Sequence, residues 1–127
     1  MQIGSLGPVV FQTSQSYVRN FQELEERRRA RYATHDVLNL EQKLQFLGLD
    51  LAEVSLQMHF HHRFCRPRQE LETLTGLLAG HAAHSLVIGG RPLGEFVVEE
   101  IGSVWRHLSA RGELLFARAD VRLKEYR

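Results

Sequence analysis

Between Val54 and Gly80 the chain changes from a two-residue to a helical period. Val54, Leu56, Met58, Phe60, His62 and Phe64 take one set of alternate positions; Ser55, Gln57, His59, His61, Arg63 and Cys65 take the other. Successive side chains of a strand point to opposite faces, so this pattern predicts a half-buried strand with one apolar face. The alternation ends before Pro67, whose φ is preset near the helical value and which lacks the N–H that a first helical residue leaves unpaired. Leu71, Leu74, Leu77 and Leu78 follow at the spacing of one helical stripe. The prediction is a helix over Pro67–Ala79 with Gly80 as a left-handed cap. Such a helix must lie on a sheet to bury its leucines, and the rest of the chain must supply that sheet.

The flanking patterns are mostly strand-like. Met1 to Pro8 ends in the breaker pair Gly7-Pro8, and Pro8–Gln12 reads as a short first strand. Thr13 to Ser16 is turn-like. Tyr17 to Val37 is ambiguous: Phe21, Leu24, Arg28 and Tyr32 have helical spacing among good helix formers, while an extended segment with a charged outer face competes. Asn39 to Lys43 reads as a polar connection. Leu44, Phe46 and Leu49 begin a core segment, with Gly48 as a break. Ser85–Ile88 is an apolar run ended by Gly89-Gly90, the mark of a strand buried on both faces. A long strand, Leu93–Leu108, changes apolar phase between Val98 and Ile101, which places a β-bulge at Gly102. Ser109–Gly112 forms a hairpin loop, and Glu113–Tyr126 returns as an alternating strand. The expected fold is α+β: a mainly antiparallel β sandwich or open barrel with one helix packed on the sheet, in a single domain spanning 1–127.

Composition changes this picture little. The chain has 127 residues, 43% hydrophobic and 24% charged, with a formal net charge of +1. That is ordinary globular composition, and no basic run is long enough to mark a polyanion site. One cysteine cannot form an internal disulfide. No leader-like or membrane-spanning run is visible, so a cytoplasmic product is expected, with neither nucleic acid nor membrane as partner.

Candidate chemistry is thin. His59, His61 and Cys65 would share one strand face, a spacing that suits a zinc site or a small ligand-binding module. The competing reading is a polar outward face, since no second ligand cluster completes a site. Cys65 with a neighbouring histidine could form a nucleophilic pair, but no orienting group or oxyanion hole accompanies it. Gly89, Gly90 and Gly94 lack the Gly-Lys-Ser/Thr of a phosphate loop. Trp105 fits either an interface anchor or the core. Arg27, Arg28, Arg29 and Arg31 follow Glu23, Glu25 and Glu26, which suits a self-compensating surface or a subunit contact. The residues thus point to no catalytic set, cofactor or metal.

The order of short motifs adds a resemblance over nearly the whole chain. Gly7-Pro8-Val9-Val10-Phe11 opens it. Arg31-Tyr32-Ala33-Thr34-His35-Asp36-Val37 and Lys43-Leu44-Gln45-Phe46-Leu47-Gly48 follow. Then come Phe60-His61, Phe64-Cys65-Arg66-Pro67, Leu86-Val87-Ile88-Gly89, Leu93-Gly94-Glu95-Phe96 and the closing Leu123-Lys124-Glu125-Tyr126. In this order the chain resembles the phage tail protein U (GpU) family of contractile-tailed phages, prophages and tailocins. The resemblance implies a structural tail protein and no enzyme. It implies a tail-tube-like fold and a ring homo-oligomer at the tube–baseplate hub junction, with other tail or hub proteins as partners. It implies assembly in the host cytoplasm and residence in the finished tail. The rival position is the other tail end. The resemblance also favours a long extended strand over Phe21–Val37.

Overall fold

The computed structural model describes residues 2–13, 18–19, 21–36 and 42–127. The strands are β1 (Gln2–Leu6), β2 (Val9–Thr13), β3 (Val18–Arg19), β4 (Phe21–Arg27), β5 (Ala30–Asp36), β6 (Gln42–Leu49) and β7 (Glu53–His61). Then follow the helix α1 (Pro67–Gly80) and the strands β8 (His84–Ile88), β9 (Arg91–Leu108) and β10 (Leu114–Glu125). Eight strands form one antiparallel sheet in the order β3-β2-β1-β8-β9-β10-β7-β4. Among the described residues β5 and β6 pair only with each other.

The central strands follow their alternation. Val54, Leu56, Met58 and Phe60 of β7 are buried, and Ala117, Ala119, Val121 and Leu123 of β10 face the same side. Leu71, Leu74 and Leu77 of α1 close over that face, where α1 lies against β9, β10 and β7. Burying a leucine or phenylalanine side chain contributes about 1.5–3 kcal/mol, so this face carries most of the stability. Leu6, Val9, Phe11, Leu86 and Phe96 extend the core along the sheet.

The sheet curls strongly. Its edge strands β3 and β4 are separated by one residue of sequence, and the Phe11 ring meets the Phe21 ring edge-on at 5.4 Å. Among the described residues no hydrogen-bonded pairing closes the ladder, so the architecture is an open, curled sheet.

Several sequence expectations need correction. A strand, β1, precedes the expected first one: Gly7, at φ 57°, turns β1 into β2, so the breaker pair is a hairpin turn. Phe21–Val37 is extended but is not one long strand. It breaks at Arg28–Arg29 into β4, on the large sheet, and β5, off it; Val37 lies outside the described residues. Leu44, Phe46 and Leu49 are not core: they are 70%, 57% and 58% exposed. Of the Ser85–Ile88 run only Leu86 is buried, since β8 has a core on one side alone. The register of β9 shifts at Leu93 against β8 and at Glu99 and Arg106 against β10, and not at Gly102, which pairs regularly with Asp120; at Glu99, Val98 opposes Leu123 and Glu100 opposes Arg122. The helix runs on through Gly80, and the left-handed cap is His81, at φ 42°.

Candidate assembly interface

β5 and β6 form an arm. Tyr32 pairs with Phe46 and Thr34 with Leu44, so these four side chains share one face. The other face carries Ala33 with Gln45 and His35 with Lys43, and the His35 ring hydrogen-bonds Gln45. Pairing two alternating strands in this register gathers the apolar positions on one side. On the body that side would be core. Here, among the described residues, no part of the large sheet covers it: Tyr32 is 56% exposed, and its ring meets Phe46 at 5.6 Å as its aromatic neighbour. The arm is tied down at its root. The Asp50 N–H donates to the Arg29 carbonyl at 2.8 Å, Arg31 Nε pairs with Asp50 Oδ1 at 2.7 Å, and Arg127 donates to the Leu49 carbonyl at 3.0 Å.

The arginine run lies at this root, where β4 ends and β5 begins. The structure gathers all four guanidinium side chains there, on exposed positions. Three of them already hold carboxylates of their own chain. Arg27 pairs with Glu25 at 2.8 Å, Arg28 with Glu26 at 2.7 Å, and Arg31 with Asp50. Arg28 Nε donates to the Glu26 carboxylate, and that hydrogen bond raises the Arg28 pKa above its usual value. These exposed pairs offset charge locally and add little stability. β4 itself pairs only with β7, so its other edge is free of ladder partners among the described residues.

The His59/His61/Cys65 face does not form as the alternation suggested. His59 and His61 lie on the outer face beside Phe116, at 5.7 Å and 6.2 Å between ring centres. The strand stops at His61, whose carbonyl accepts the N–H groups of Phe64 at 2.9 Å and Cys65 at 3.2 Å. That turn ends the alternation and packs Cys65 against the core instead. Among the described residues no three histidine, cysteine or acidic side chains converge as metal ligands. Trp105, left open between interface and core, is 48% exposed, with the Arg68 guanidinium 5.2 Å over its ring.

A family model described as phage P2 GpU matches residues 7–127. The chain belongs to the phage P2 GpU family. This GpU-family protein is accordingly a structural component of a phage tail, and membership points to a structural rather than an enzymatic role. No curated protein matches the chain. Among solved structures it is similar to a chain from the virion of a native gene transfer agent (GTA) particle, at 14% identity and a TM-score of 0.52. That match covers 99% of this chain and 91% of the other. The likeness is one of fold.

The exposed apolar face of the arm went unread in the sequence. Leu44 and Phe46 alternate just as core residues do, and no local signal says which strands have a body beneath them.

Proposed function

We propose that this GpU-family protein forms a ring at the junction of tail tube and baseplate hub and is needed for tail assembly. The observation that carries this reading is the arm. A two-stranded hairpin is marginally stable alone, and an apolar face of Tyr32, Leu44 and Phe46 held away from its own body is suited to cover by another chain. A cyclic assembly supplies such cover through heterologous contacts between neighbours. The unpaired edge of β4 would gain a partner in the same way. Arg27, Arg28, Arg29 and Arg31, at the arm's root, then sit where the next subunit or a hub protein approaches. A fold similar to that of a virion protein fits this place, and a tail-tube-like packing of subunits is part of the proposal.

The test is genetic. The gene is deleted from a phage or tailocin that carries it and supplied in trans, and particles are scored by electron microscopy. Deletion should leave no complete tails, and the Tyr32→Asp/Phe46→Asp and Arg28→Glu/Arg29→Glu variants should fold but fail to restore them. Complete tails from the deletion would defeat the assembly reading. Complete tails from one variant would remove that feature from the contact. Density for the protein at the head-proximal end would overturn the hub position.

A further inference from the structure

Charge on this chain is balanced in sum but segregated in space. Segments 59–68, 103–111 and 115–118 hold six arginines (Arg63, Arg66, Arg68, Arg106, Arg111 and Arg118), four histidines and no acidic residue. The remaining chain holds 10 basic and 15 acidic side chains, a net of −5. The sheet register joins the three segments. Arg118 opposes His59 on one side and Val104 on the other, and Phe116 opposes both His61 and His107. Arg106 lies 5.9 Å over the Phe116 ring, Arg68 caps Trp105, and His61 stacks on His62 at 4.6 Å. Phe64, Trp105 and Leu108 are 38%, 48% and 54% exposed in this pole. Exposed Trp and Arg together are the composition of interface anchors.

Beside the pole, on the outer face of the same sheet, runs a groove of opposite sign. Glu23, Glu25, Glu53, Glu99, Glu100 and Asp120 line it, with Arg27 and Arg122 as the cations among them. Arg27 is held by Glu25 at 2.8 Å and Arg122 by Glu100 at 3.1 Å, and the groove as a whole is net −4. Arg118 and Asp120, 3.5 Å apart, mark the border.

We infer that the basic aromatic pole of one copy docks in the acidic groove of a second copy. The inference deepens the assembly reading and rests on it for the choice of occupant. Charge complementarity within one chain favours this occupant over a nucleic acid, because six carboxylates adjoining the pole repel a polyanion. Arg68 over Trp105 carries the pole onto the helix, whereas the groove is lined from β4, β7, β9 and β10 alone, so the two patches occupy different parts of the surface. A contact of pole with groove leaves one pole and one groove free on the pair, so it propagates head to tail.

Sedimentation of the purified full chain tests this without any tail. Association should grow past the dimer at low ionic strength and weaken at least about tenfold as salt shortens the screening length to a few ångströms. Arg63→Glu/Arg106→Glu should abolish it, as should Glu23→Arg/Glu99→Arg; all four sites are exposed, and thermal melts should stay close to those of the parent. Should the pole variant misfold, Arg66→Glu/Arg111→Glu replaces it. Mixing the pole variant with the groove variant should restore association, since each then offers the charge the other lacks. A monomer at all concentrations, a dimer that does not grow, or no recovery on mixing would overturn the docking. Tight binding of a short duplex DNA, lost in the pole variant, would overturn it in favour of a nucleic-acid surface. Association as described alongside complete tails from the deleted phage would sink the assembly reading alone.

Discussion

At Gly4 a side chain has no room. A Cβ there would overlap the Val87 carbonyl oxygen and come 3.1 Å from the Ile88 Cα, both backbone atoms of the neighbouring strand. Gly4→Ala must push β1 off β8, and we expect a loss of about 1–3 kcal/mol in chemical denaturation. Leu74 is the converse case, 3% exposed at the centre of the helix stripe. Leu74→Ala should cost about 2–5 kcal/mol; a change under about 0.5 kcal/mol would place that residue outside the core. His81 holds the left-handed cap with a Cβ that disfavours it, and the Cβ added at Gly80 would meet nothing. His81→Gly should therefore raise stability by about 1 kcal/mol, read from the thermal midpoint.

Among the elements, α1 and the arm draw on different sources of order. The helix starts at a proline and buries three leucines. Its existence and register follow from local sequence. Among the described residues the arm has strand pairing but no core, and the bonds that tie it down lie at its root. Native-state hydrogen exchange should separate the two. Amides of β7 and β10 should exchange only on global unfolding, while those of β5 and β6 open locally at a small fraction of that free energy. Protection of the arm equal to that of β7 would mean that it is covered in solution. The Tyr32→Asp/Phe46→Asp variant should melt within about 0.5 kcal/mol of the parent, as surface substitutions do. The segment before the arm shows why propensity misleads here. FQELEER has helix formers throughout, yet Leu24 and Phe21 pack on the core only when the backbone is extended against β7.

At the scale of the molecule, the curl of the sheet and the segregation of charge arise together. Strands distant in sequence are brought side by side, so three short acid-free segments become one pole and carboxylates from four strands become one groove. A net charge of +1 therefore gives no measure of the local field. The same curl brings Phe11 to Phe21 across the gap between the sheet edges. Phe11→Ala should cost about 3–5 kcal/mol and loosen both ends of the sheet together, seen as lost protection in β2 and β4 at once.

Local physics was enough for the β7 alternation, the proline that starts α1, the leucine stripe and the Ser109–Gly112 loop, because each depends on contacts within a few residues. The ordered motifs likewise carried the GpU family. Burial depends instead on what lies opposite. Leu44 and Phe46 have the spacing of Leu56 and Met58, but only the latter pair has α1 and the curled sheet beneath it. The break at Arg28–Arg29, which sends one extended segment into two sheets, follows from which strands pair with β7 and which stand alone. Cys65 left the histidine face because a turn, invisible to a two-residue period, ended the strand at His61. Pole and groove were decided by register, since a charge's neighbours across a sheet are set by pairing and not by sequence distance.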